Sequence, residues 1–199
     1  MKIAIILRIE SKLEKKINNL KNLFKKKHNN CLYVDDFPHI TLFTANINLR
    51  INELKKINYK IKFKNVKISL SKPKVFRNDI LTGGQTFFFE INKNRKLFDL
   101  QLNASNFFKK YLKKTKIKNK FIKNSLESKS FDKYGFPYVG KHWIPHVSIC
   151  SVLDEKINKD VYIKFMRSKF NSSSFVNDLF ICVVKKNNLI EVKKIKFDN

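Results

Sequence analysis

The chain has 199 residues, 43% of them hydrophobic and 19 of them Phe, which excludes a wholly disordered protein and gives enough apolar material for one domain (1–199) with a substantial core. It carries 43 Lys and Arg against 16 Asp and Glu, a formal net charge of +27 at pH 7. An AT-rich coding sequence would account for part of the lysine but not for the shortage of acids, whose codons suit such a gene equally, so the balance points to a polyanionic partner, RNA or DNA ahead of a membrane surface.

In chain order, the apolar run Ile3-Ala4-Ile5-Ile6-Leu7 is too short for a signal peptide and reads as a first buried strand. Ser11 and Glu14 have capping-box spacing, and Leu13, Ile17, Leu20 and Phe24 then recur at helical period up to the basic exit Lys25-Lys26-Lys27-His28. A strand is expected over about 39–45, then a short helix capped by Asn48 with Ile51, Leu54 and Ile57 on one face. Ile61, Phe63, Val66, Ile68 and Leu70 read as a strand with a bulge near Asn65. Gly83-Gly84 turns into a strand over 86–91, and a longer helix carries Leu97, Leu100, Ala104, Phe108 and Tyr111.

The stretch 113–140 is too polar for core and too long for a plain connector, so it reads as an insertion or lid. Its Phe121, Phe131, Tyr134, Phe136 and Tyr138 interleave with Lys116, Lys118, Lys120, Lys123 and Lys133, a mixture that suits single-stranded RNA or, equally, aromatics that pin an insertion to the body. A further strand follows around Val147 and Ile149, then a helix opened by Asp154 with Ile157, Val161 and Phe165, and two closing strands at 175–184 and 189–195. The order "strand, helix, strand, helix, strands" thus occurs twice, which predicts a pseudo-symmetric α/β fold. Cys31, Cys150 and Cys182 are odd in number and lack metal spacing, so free thiols in a reducing, cytoplasmic setting are expected, and no stretch has the length of a membrane span.

Two segments match each other: Phe37-Pro38-His39-Ile40-Thr41-Leu42 and Ile144-Pro145-His146-Val147-Ser148-Ile149. On a strand, His and the hydroxyl two residues on share a face, and the aliphatic residues between and after them turn to the core. Splitting a phosphodiester needs one proton taken from the attacking oxygen and one given to the leaving oxygen. Two imidazoles with an unperturbed pKa of about 6.5 can do both at neutral pH, while adjacent hydroxyls hold the phosphoryl oxygens. A single His-x-Ser/Thr carries no weight, but two copies in one frame do. His28 and His142 lack the frame and read as surface residues. Asp35 and Asp36 read as loop residues, and no carboxylate cluster has metal spacing, so neither a catalytic metal nor a cofactor is expected.

Pro38-His39-Ile40-Thr41-Leu42 and Trp143-Ile144-Pro145-His146-Val147-Ser148-Ile149 resemble the paired signatures of the two-histidine (2H) phosphoesterase superfamily, which includes RNA 2′,3′-cyclic phosphodiesterases of the 2′-5′ RNA ligase group. The resemblance implies an α/β (α+β), bilobal, pseudo-twofold fold, with two antiparallel sheets flanking a central cleft and helices outside. It carries catalysis onto His39 and His146 and phosphate contacts onto Thr41 and Ser148, with His146 as base and His39 as acid in hydrolysis. Trp143, Tyr138, Lys141 and Phe43, which flank the motifs, are the candidate substrate contacts, with Trp143 reading equally as a pocket wall or base-stacking platform and as a core residue. The activity implied is a metal-independent phosphodiesterase, monomeric, acting on RNA ends or oligonucleotides. Hydrolysis of small cyclic or 2′-5′ oligonucleotide signals and a silent nucleotide- or RNA-binding module are the alternatives.

Overall fold

The computed structural model describes every residue except 10–11, 64, 93, 114–123, 171–172, 187 and 198–199. The expected strands are β1 (Lys2–Arg8), β3 (His39–Asn46), β4 (Val66–Phe76), β5 (Gln85–Ile91), β6 (His146–Val152), β8 (Asp178–Lys185) and β9 (Asn188–Lys196), joined by the short β2 (Cys31–Leu32) and β7 (Ser173–Val176). They form two sheets, ordered β3-β1-β8-β9 and β2-β6-β5-β4-β7, with every pairing antiparallel. The helices are α1 (Lys12–Lys27), α2 (Ile51–Lys56), α3 (Arg95–Phe108), α4 (Ser125–Tyr134) and α5 (Lys159–Met166). None of those described is long and apolar enough to cross a membrane.

The two halves exchange helices. α1 leaves β1 of the first sheet and packs against β6 of the second, while α3 leaves β5 of the second sheet and packs against β3 of the first. Leu13, Ile17, Leu20 and Phe24 are the buried face of α1, as their spacing requires. Phe24 meets Phe87 of β5 at 4.7 Å between ring centroids and Phe165 of α5 at 5.9 Å, and Phe165 also packs on Phe89 at 5.2 Å. These rings form one aromatic layer beneath the second sheet. The sheets approach each other at β3 and β6, the strands that carry the paired motifs.

Several local expectations are revised. The closing run 175–184 divides at Asn177: β7 pairs with β4 in the second sheet and β8 with β1 in the first, so the chain changes sheet within one apolar run. The bulge in β4 lies between Leu70 and Pro73 rather than near Asn65, and Ile61 makes only an isolated bridge, to Phe197. α2 is capped at Arg50, whose N–H donates to the Glu53 carboxylate at 2.6 Å, and not by Asn48. α5 starts after Asn158, whose side chain accepts from Val161 N, because Asp154 is occupied elsewhere. Its partner is His28, expected on the surface but 6% exposed, with Nδ1 2.9 Å from the Asp154 carboxylate. The Ser11 cap lies outside the described residues.

Phe24→Ala removes the ring that joins α1, β5 and α5. We expect a loss of about 3–5 kcal/mol in urea unfolding, the usual cost of a large cavity in a close-packed core.

Candidate active site

Each motif strand begins with the same backbone arrangement. Ile9 N donates to the Pro38 carbonyl at 2.9 Å, and Ile91 N to the Pro145 carbonyl at 2.8 Å. Proline has no N–H to return, so it fits only where a strand begins. The next pair along, Arg8 with His39 in one lobe and Glu90 with His146 in the other, is therefore the non-hydrogen-bonded kind, whose Cα atoms stand about 4.5 Å apart with side chains on one face. His39 Nδ1 lies 2.9 Å from the Phe37 carbonyl and His146 Nδ1 2.7 Å from the Ile144 carbonyl. A carbonyl only accepts, so Nδ1 is the protonated nitrogen in both rings and Nε2 is left for chemistry.

The match extends one step further. Thr41 pairs with Ile6 and Phe43 with Ile5, so Leu42 is an extra residue; Ser148 pairs with Phe88 and Cys150 with Phe87, so Ile149 is another. Both strands bulge at the third residue after the histidine. The bulge ends the alternation once His and hydroxyl have been displayed, and it turns two successive residues into the core. His39, Thr41, His146 and Ser148 are all half-buried on the open face, while Ile40, Leu42, Val147 and Ile149 are fully buried.

This corrects the expectation for Phe43. Strict alternation would set it beside Thr41, but after the bulge it is 0% exposed and packs edge-on to Phe136, with centroids 6.0 Å apart. Of the two readings of Trp143, the core residue is the one the structure shows. It is buried, lies edge-on to Phe98, and its indole N–H donates to the Thr41 carbonyl at 3.1 Å. β3 is an edge strand and Thr41 is in a non-bonded pair with β1, so that carbonyl points outward to where the indole waits. Trp143 is thus a brace between the motifs rather than a stacking platform. Tyr138 is half-buried, its carbonyl held by Gln101 Nε2 at 2.8 Å, and Lys141 is exposed on the single 3-10 turn before β6. In the stretch 113–140, Tyr134 is buried, and Phe136 packs on Phe43 and Tyr138, so these aromatics tie α4 and its exit to the body. Phe121 and Lys116, Lys118, Lys120 and Lys123 lie outside the described residues.

Burial lowers the pKa of both imidazoles. For His39 it brings the value down to about 4, helped by the charges of Lys21 and His146 and opposed by the bond to Phe37. For His146 the fall is opposed by the bond to Ile144 and by the carboxylates of Asp79 and Glu90. The His146 ring sits against Phe88 and Phe76, which stack on each other at 4.0 Å, and Phe37 packs on His39.

The histidine surroundings include groups that the motifs alone do not reveal. Lys21 is 2% exposed, its Nζ donates to the Tyr33 carbonyl at 2.5 Å, and burial brings its pKa down to about 8 against the pull of Asp36. Its position four after Ile17 and three before Phe24, on the buried face of α1, was the available signal. Arg8 lies with its guanidinium carbon 4.9 Å from the Phe37 ring centre, and its Nε is buried with no hydrogen-bond partner among the described residues. Asp79, in the turn between β4 and β5, accepts from the Thr86 hydroxyl at 2.5 Å. No three His, Cys, Asp or Glu side chains gather into a metal site among the described residues. Depressions on the outer surface of α1 and α5, lined by Lys16, Lys26 and Lys164, contain neither motif histidine.

No family model and no curated protein sequence matches the chain. Solved structures match over its whole length, and they define the class of fold: two antiparallel sheets with outer helices, as in the LigT-like phosphoesterases. TT0787 of Thermus thermophilus has a TM-score of 0.65 at 10% identity, covering 99% of this chain and 98% of that one. E. coli LigT complexed with phosphate has a TM-score of 0.54 at 9% identity, covering 100% and 98%, and a protein described as a phosphoesterase has 0.55 at 9%, covering 100% and 99%. The fold expected from the paired motifs is therefore the one this chain adopts.

In the free protein, a 15N-edited titration of the histidines should find His39 neutral, with the proton on Nδ1, down to about pH 4. Titration near 6.5, or a proton on Nε2, would contradict the burial and bonding described.

Proposed function

We propose that the chain is a 2H phosphoesterase: a metal-independent phosphodiesterase that acts on RNA ends, opening a 2′,3′-cyclic phosphate or cutting a 2′-5′ or 3′-5′ linkage. The observation that carries the reading is the duplicated display, two Nε2 atoms freed by identical carbonyl bonds, each beside a hydroxyl, on strands that bulge at the same step. One imidazole accepts a proton from the attacking oxygen and the other donates to the leaving oxygen. Thr41 and Ser148 hold the phosphoryl oxygens and Trp143 fixes the distance between the motifs, while Tyr138 and Lys141 meet the rest of the substrate.

RNA as the substrate class is supported by the net charge of +27, more than one small nucleotide requires. E. coli LigT, which shares the fold, has been crystallised with 3′-AMP, with ATP and with phosphate, ligands of the expected chemistry.

An oligonucleotide ending in a 2′,3′-cyclic phosphate should be hydrolysed at an unchanged rate in EDTA. His39→Ala and His146→Ala should each lower kcat by about 10²–10⁴-fold, the usual worth of a general acid or base, with RNA affinity held within a few-fold. Loss of activity in the chelator, or full activity in both variants, would contradict the proposal. Affinity without any product would indicate a binding module.

A further inference from the structure

The two lobes repeat each other down to single backbone bonds, and the residue facing each histidine is where they part. Opposite His39 in the close pair stands Arg8; opposite His146 stands Glu90. The surrounding elements divide the same way. The Lys21 ammonium of α1, itself offset in part by Asp36, disfavours a proton on His39, and Asp79 in the turn between β4 and β5 favours one on His146. Resting on the phosphodiesterase reading above, we infer that these opposed charges assign the roles in hydrolysis: His39, among cations, is the base, and His146, among carboxylates, is the acid. This reverses the assignment expected from the motifs.

An anionic phosphodiester between the rings favours one imidazolium, and the surroundings decide which ring holds the proton. The Arg8 guanidinium is ion-paired with the Glu14 carboxylate at 3.7 Å, which offsets part of its charge. The buried Lys21 ammonium acts against a proton on His39 as well, and His146 adds its own charge whenever it is protonated. A proton on His39 is therefore disfavoured by Lys21 and by a protonated His146, with the Arg8 guanidinium across the strand pair. Glu90 is held by Lys74 at 2.5 Å, which offsets part of its charge, yet Glu90 and Asp79 both still favour the imidazolium at His146. Neither Arg8 nor Glu90 touches the reacting atoms in this scheme; they are positioning residues for the proton.

A water oxygen bonds to phosphorus while its proton passes to Nε2 of His39. The bond from phosphorus to the ribose oxygen breaks, and that oxygen takes the proton from Nε2 of His146. The product is a phosphomonoester, with imidazolium now at His39 and neutral imidazole at His146, and exchange with solvent restores the starting state.

The test uses two substrates on the full chain. One is the oligonucleotide 2′,3′-cyclic phosphate, whose ribose oxygen needs a proton to leave; the other is a nucleotide p-nitrophenyl phosphodiester, whose nitrophenolate does not. His146→Ala should lose about 10²–10⁴-fold on the cyclic phosphate but stay within about tenfold of wild type on the nitrophenyl ester, whereas His39→Ala should lose on both. Rescue of His39→Ala by the nitrophenyl ester, or equal loss of both variants on both substrates, overturns the assignment. Glu90→Gln supplies a second readout with both imidazoles intact. The acid must be protonated, so activity falls as pH rises through its pKa, and removing the carboxylate lowers that pKa. The alkaline limb of kcat/KM should move to lower pH with the acid limb unmoved. A shift of the acid limb instead, or no shift, overturns the assignment. Wild-type protein inert towards both substrates overturns the phosphodiesterase reading itself, an outcome distinct from reversed rescue.

Discussion

The bond from each imidazole Nδ1 to the carbonyl two residues before it is the constraint on which the site depends. It fixes the tautomer, turns Nε2 outward, and ties ring orientation to the backbone of the strand entry, where a proline begins the pairing. A histidine held only by packing would keep its position but not its proton. The same bond works against burial, which otherwise drives both rings towards the neutral state. Orientation and protonation are thus set together by three residues of chain, Phe37 to His39 in one lobe and Ile144 to His146 in the other.

Two copies of that unit must also face each other, and the fold arranges this through exchange. Because α1 crosses from the first sheet to the second and α3 crosses back, neither lobe can be separated without exposing the other's apolar face. β3 is left as an edge strand, and Trp143, just before β6, occupies the outward carbonyl of Thr41. One outward carbonyl of that edge is therefore taken up by the neighbouring motif. Trp143 precedes His146 by only a few residues and Thr41 follows His39 just as closely, so this one hydrogen bond ties the spacing of the pair.

Much of this was legible in the residues. His39 and His146 share a frame of Pro, aliphatic and hydroxyl residues too specific to arise as surface noise, and helix periodicity in α1 and α3 set the outer layer. What escaped detection was non-local. Phe43 looked like a neighbour of Thr41 because a bulge depends on pairing with β1, which no local pattern encodes. His28 sat at the end of a basic run, and only its meeting with Asp154, 126 residues away, made it a buried clip between the end of α1 and the segment leading into α5. Asn177 interrupts an apolar run without a glycine or proline to mark the change of sheet. Arg8 and Glu90 are ordinary strand residues until register places each across from a histidine.

The central claim is that both imidazoles and both hydroxyls address one phosphoryl group. A crystal structure with a nucleoside 2′- or 3′-monophosphate tests it most directly. The account predicts phosphoryl oxygens within hydrogen-bond reach, about 2.6–3.2 Å, of Nε2 of His39 and of His146 together, with Thr41 and Ser148 hydroxyls on the remaining oxygens. A phosphate bound by only one of the two histidines, or seated on the basic face of α1 and α5, would contradict it.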